Sequence, residues 1–203
     1  VNIDGLTAGS TFTTVKDVAT ATAGTNLTVK FANTEAASTL TLGAGVSGTV
    51  ETDKITAVTI NAADILGDDT DTFTFKAATS VTINGTKDVK GTVAIADSKL
   101  ENLTITSSEE INMGNTTNVA ALKKVTATAT KAATLGEIDS KILTDVSVSS
   151  TTLAAKVGNI SASAASTTAV NVTVAGATKA EVGTINIAAT PGKLGDVNVT
   201  ATK

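Results

Sequence analysis

The feature that most constrains this chain is a returning phrase: an aliphatic residue, two others, an aliphatic residue, one other, and a third aliphatic residue. Ile55, Val58 and Ile60 form one copy, and Ala78, Val81 and Ile83 the next. Leu100, Leu103 and Ile105 follow, then Leu122, Val125 and Ala127, then Leu143, Val146 and Val148. Their first positions lie 23, 22, 22 and 21 residues apart. So small a drift over five copies marks an internal repeat. Second apolar pairs stand between the phrases, Phe73 with Phe75, Val93 with Ile95, Ile111 with Met113 and Leu135 with Ile138. Each unit therefore reads as two or three short strands.

Side chains alternate faces along a strand, so Leu103 and Ile105 point one way while Thr104 and Thr106 point the other. A repeat of this length covers about 73 Å of extended chain, enough for one circuit of a narrow coil. It is too short for a strand–helix–strand unit with generous turns. Stacking the coils places each phrase above its predecessor and turns the aliphatic letters into a continuous core. The expected fold is all-β, a parallel β-solenoid (β-helix) with coils of about 22 residues. The alternative is a β-sandwich or a row of immunoglobulin-like modules, which also gives many short alternating strands but requires no constant period.

The repeat assigns residues 51–203 to the solenoid. Residues 1–50, strand-like in NLTVKF and STLTL, do not fit the period and read as a β-rich cap or irregular N-terminal coils. Beyond residue 150 the copies read Val157, Ile160, Ala162, then Val182, Ile185, Ile187, then Leu194, Val197, Val199. Val170, Val172 and Val174 form a related run, and the spacing no longer fixes the register.

Composition narrows function more than any motif. Of 203 residues 41% are hydrophobic, yet aromatics are 2%, all Phe, so the core must be slim and built from small aliphatic side chains. Thr is the commonest residue, and His, Cys, Arg and Gln are absent. Without His the usual general base near neutral pH is missing, and without Arg the bidentate anion clamp is missing. Zinc, haem and iron–sulfur sites have no nitrogen or sulfur ligand beyond Met113. A net charge of −4 with 15 basic residues, all Lys, argues against nucleic acid as a partner. No run of 18 apolar residues occurs, so no membrane-spanning helix is expected. The opening VNIDGLTAGS lacks the layout of a signal peptide, so the chain reads as a processed product, a protein exported without one, or a piece of something longer.

The outward column beside the core phrase runs Thr59 and Asn61, Thr82 and Asn84, Thr104 and Thr106, Thr126 and Thr128, Ser147 and Ser149, then Ser161 and Ser163. Small hydroxyl and amide residues suit a solvated strand face and its cross-coil ladders. The same ranks would suit an ice-binding face, a glycan-bearing face or a packing surface.

DILGDDTDTF holds the densest acidic run, Asp64, Asp68, Asp69 and Asp71, whose hard oxygens are of the type calcium prefers, although a solvated acidic loop explains them as well. GAGVSG at residues 43–48 spells a dinucleotide fingerprint, but no helix pattern follows it, so it reads as a glycine-rich turn. Glu109 and Glu110 are adjacent, and strand neighbours on opposite faces cannot flank one glycosidic bond. With no His, Ser and Thr nucleophiles are left with only Ser–Lys or N-terminal Thr mechanisms; the first residue is Val and no Ser–Lys pair stands out, so no catalytic residue is assigned. Asn-x-Ser/Thr triplets begin at Asn26, Asn84, Asn102, Asn115, Asn159, Asn171 and Asn198, little more than this much Thr and Ser would give by chance.

An acidic, Cys-free, Thr- and Ala-rich chain with phrases such as LENLTITS, DILGDDTDTF and ITAVTINA resembles bacterial surface-layer (S-layer) proteins and the related repeats-in-toxin type exported proteins. The resemblance covers roughly residues 50–203. It implies a non-enzymatic extracellular structural protein at the bacterial cell surface, self-associating into a lattice or filament through repeated β-faces, with calcium assisting. The glycine-rich calcium nonapeptides of the exported repeats are missing, so no calcium ligand carries over from the resemblance. Alternatives are a Thr-rich ice-binding or adhesin solenoid, and a carbohydrate-binding β-helix with cell-surface glycan as partner.

Overall fold

A computed structural model describes residues 2–3, 28–31, 37–42, 50–52, 57–62, 65–66, 74–75, 78–91, 99–116, 119–162, 170–187 and 197–203. Among these residues every regular element is a strand, and every strand pairing is parallel. The chain winds as a β-solenoid whose coils are about 22 residues long.

The broadest sheet gathers the repeated phrase. Its strands are β3 (Ala37–Leu42), β5 (Ala57–Ala62), β7 (Ser80–Gly85), β9 (Asn102–Ser107), β11 (Lys124–Ala129), β14 (Asp145–Ser150), β17 (Val170–Gly176) and β20 (Val197–Thr202), hydrogen-bonded in that order. The second sheet stacks β8 (Val89–Gly91), β10 (Ile111–Met113), β12 (Ala133–Leu135), β15 (Ala154–Val157) and β18 (Lys179–Val182). The third wall is formed by β13 (Ile138–Ser140), β16 (Ile160–Ala162) and β19 (Ile185–Ile187). Four short strands nearer the N-terminus, β1 (Asn2–Ile3), β2 (Thr28–Phe31), β4 (Val50–Thr52) and β6 (Thr74–Phe75), make a further parallel sheet.

Register is what the repeat dictates. Val58, Val81, Leu103, Val125 and Val146 are successive Cα partners, as are Ile60, Ile83, Ile105, Ala127 and Val148. These letters are buried from Ile60 onward, with Ile83 and Ile105 at 0% exposure, because a one-residue slip would turn every aliphatic group to water. The leading letter of each phrase, Leu100, Leu122 or Leu143, precedes its strand at the corner and is also buried. Ile111 and Met113 on the second wall and Ile138 and Ile160 on the third complete a continuous aliphatic core.

One departure from the sequence reading occurs. Val157, Ile160 and Ala162 do not continue the broad sheet. Val157 stacks on Leu135, and Ile160 stacks on Ile138. The phrase instead resumes as Val172 and Val174 above Val146 and Val148, then Val199 above Val172. Before residue 50, the described strands enter the same kind of stack: Ala37–Leu42 pairs in register with Ala57–Ala62, and Thr28–Phe31 pairs with Val50–Thr52.

Candidate functional site

Corners decide how flat and how regular the outer faces are. Where the second wall turns into the third, Gly114, Gly136, Gly158 and Gly183 follow their strands, and at Gly136, Gly158 and Gly183 the coils approach so closely that a side chain has no room. A Cβ on Gly136 would lie 2.6 Å from the Gly114 carbonyl carbon, and one on Gly158 would lie 2.8 Å from that of Gly136. Beside this column Asn115 Oδ1 accepts from Glu137 N at 2.9 Å, and Asn159 Oδ1 accepts from Thr184 N at 3.0 Å. At other corners buried hydroxyls do the locking: Ser107 Oγ donates to the Lys87 carbonyl at 2.6 Å, Ser140 Oγ to the Leu122 carbonyl at 2.5 Å and Ser150 Oγ to the Lys131 carbonyl. These three hydroxyls are tied to backbone acceptors and serve the turns.

Held between such corners, the outward face of the broad sheet carries two unbroken ranks. Thr59, Thr82, Thr104, Thr126, Ser147, Thr173 and Thr200 are successive register partners, and the parallel rank reads Asn61, Asn84, Thr106, Thr128, Ser149, Ala175 and Thr202. The ranks therefore continue into Thr173 and Ala175, whereas Ser161 lies on β16 of the third wall and Ser163 lies outside the described residues. Parts of the second rank are joined along the stack. Asn84 Nδ2 donates to Asn61 Oδ1 at 2.8 Å, Thr106 Oγ1 to Asn84 Oδ1 at 2.9 Å, and Ser149 Oγ to Thr128 Oγ1 at 3.2 Å.

Charge is nearly excluded from this face. Over β7 to β17 its outward positions hold one cation and one anion, Lys124 and Asp145, which are themselves register partners. Asp145 Oδ2 accepts from Thr144 Oγ1 at 2.9 Å and its Oδ1 accepts from Asn171 Nδ2 at 3.3 Å. The ion pairs sit off the face, at coil ends and on the second wall: Lys123 with Glu101 at 2.9 Å, Lys131 with Glu109, and Lys179 with Glu181. The Lys131 ammonium, hydrogen-bonded to Glu109, holds that carboxyl below its ordinary value and is itself raised. Lys179 lowers Glu181 in the same way.

Glu109 and Glu110 occupy the bend between β9 and β10 rather than a strand, with Glu110 N donating to Asp88 Oδ1 at 3.2 Å. A shallow depression of about 380 Å³ opens beside the amide ladder, lined by Asn61, Asn84, Thr106 and the corner residues Thr86 and Ser108, without an aromatic or charged side chain. Asp64, Asp68, Asp69 and Asp71 lie outside the described residues, as does the glycine-rich turn at 43–48. Among the described residues no three acidic groups converge on one point where a metal ion could sit. Nor, among them, is any helix long and apolar enough to cross a membrane.

Sequence reasoning found the ranks through Ser149 but missed the glycine column. Its signal is present, since Met113-Gly114, Leu135-Gly136, Val157-Gly158 and Val182-Gly183 each place a glycine directly after an aliphatic strand residue. No protein-family model, curated protein or solved structure matches the chain.

Proposed function

We propose that this chain is a non-enzymatic structural element of a bacterial surface layer, working outside the cell and self-associating through its repeated β-faces. The observation that carries the reading is the broad face itself: a parallel sheet with hydroxyl and amide groups in fixed register and almost no net charge. Each hydroxyl both donates and accepts, so such a face is chemically suited to meeting another like it. A stacked-coil core adds stability coil by coil, which suits a load-spreading scaffold more than a mobile catalyst.

Electron microscopy of the purified protein at high concentration, with and without calcium, tests this reading. Ordered sheets or filaments are expected. A strictly monomeric particle under both conditions would refute self-assembly, and an array that forms equally without calcium would show that assembly does not need the ion.

One observation favours a second reading as an ice-binding face: the two hydroxyl-rich ranks keep a constant two-dimensional spacing over successive coils. Thermal hysteresis abolished by Thr104→Tyr is the expected result on that reading. No hysteresis in the parent protein would eliminate it.

A further inference from the structure

The two charged residues on the broad face occupy a particular place. Lys124 opens β11 and Asp145 opens β14, side by side at the same level of adjacent strands. Five described strands of the sheet, β11, β9, β7, β5 and β3, lie on one side of the line between them, and three, β14, β17 and β20, lie on the other, so the six strands from β7 to β20 are centred on it. A two-fold axis parallel to the strands and centred on that line would lay these six strands onto the same six of a second copy, leaving β5 and β3 outside the overlap. We propose that the broad face pairs with the same face of a second copy of this chain about that axis. The inference rests on the self-association reading above and assigns it a face and a geometry.

In this arrangement β11 lies over the second copy's β14, β9 over its β17, and β7 over its β20. Lys124 of each copy then meets Asp145 of the other, so the only ionic groups of these strands are neutralised twice. Thr126 meets Ser147, Thr128 meets Ser149, and Thr104 meets Thr173. Each contact joins groups that can donate or accept as the neighbour requires. Rotating instead about an axis along the stack would lay each strand antiparallel on its own copy and set Lys124 against the far, uncharged end of the strand. Charge complementarity therefore selects the first geometry.

Area supports a dimer as well. Six strands about 4.8 Å apart and six residues long at about 3.3 Å each give about 600 Å² per copy, or about 1,200 Å² in total, at the lower edge of specific interfaces. Over β7 to β20 the outward positions carry one Lys and one Asp, so the two faces bring no net charge to the contact.

Sedimentation velocity at rising protein concentration, with far-UV circular dichroism to confirm folding, tests the pairing. The parent protein should dimerise. Lys124→Asp and Asp145→Lys each create two like-charge contacts and should weaken association by about tenfold or more, and the combined reversal should restore it. Lys156→Glu, exposed on the second wall, should leave association unchanged. Single reversals that dimerise like the parent, or a combined reversal that stays monomeric, overturn the proposal. If such variants still build arrays in the microscope, the face is wrong while the coat reading stands. If the parent shows no association at any concentration, both fall.

Discussion

Each aliphatic letter of the repeat does more than fill space, because it touches its equivalents in the coils above and below. Ile105 lies between Ile83 and Ala127 in register and is completely buried. Ile105→Ala removes packing from both neighbours and should cost about 2–5 kcal/mol in denaturant unfolding, whereas Thr104→Ala, one residue away on the wet face, should cost less than about 0.5 kcal/mol. The ion pairs off the face act more weakly and show in pH dependence. Glu109 is lowered in the folded chain from an ordinary value of 4.5, so its contribution is present above that value and is lost as pH falls through the lowered one. Lys131 is raised from 10.5, so its contribution is present below that value and is lost as pH rises through the raised one. Glu109→Gln should flatten both arms of a plot of melting temperature against pH, and added salt should do the same because Lys131 is exposed and Glu109 only half-buried. Arms that keep their slope in this variant would assign the acid and alkaline losses to other groups.

At the scale of the element, corners matter as much as strands. The column of Gly114, Gly136, Gly158 and Gly183 lets the second wall turn into the third at backbone-contact distance, and Asn115 and Asn159 satisfy amides that the turn would leave unpaired. Gly158→Ala forces a Cβ against the Gly136 carbonyl, and unlike an exposed loop glycine it should lower the melting temperature. Asn115→Ala removes the acceptor of the Glu137 amide and, because this bond faces solvent, should cost no more than about 1 kcal/mol. Equal melting of Gly158→Ala and the parent would contradict the close approach. These corners also mark where the sequence stopped being readable. The core phrase was legible because strand alternation forces aliphatic letters inward at a fixed offset. The run from Ala37 was not, because Ser38 stands at the register position of Val58 and the offset there is 20 residues. After Val146 the offset to Val172 widens to 26, and Val157 with Ile160 imitates the phrase while spanning a corner between two walls. A spacing rule cannot separate one strand from two strands with a glycine turn between them, whereas Gly158 could have shown it.

For the whole molecule, coils that contact only their neighbours make stability a sum of similar increments, and they make the outer ranks as regular as the core that aligns them. The face proposed for assembly exists only if successive strands run parallel with the stated partners. The chain contains no cysteine, so paired substitutions can read that register directly. Thr104 partners Thr126, and Thr106 partners Thr128. Neighbouring partners about 4.8 Å apart fall within disulfide reach, while positions offset by two residues fall outside it. The decisive measurement is therefore oxidation of four double-cysteine variants, followed by mass spectrometry of the linked peptides. Intramolecular bonds are expected in Thr104→Cys with Thr126→Cys and in Thr106→Cys with Thr128→Cys, and none when Thr104→Cys is combined with Thr128→Cys or Thr106→Cys with Thr126→Cys. The reverse pattern would mean that the strands run antiparallel, and would contradict the solenoid and every face built on it.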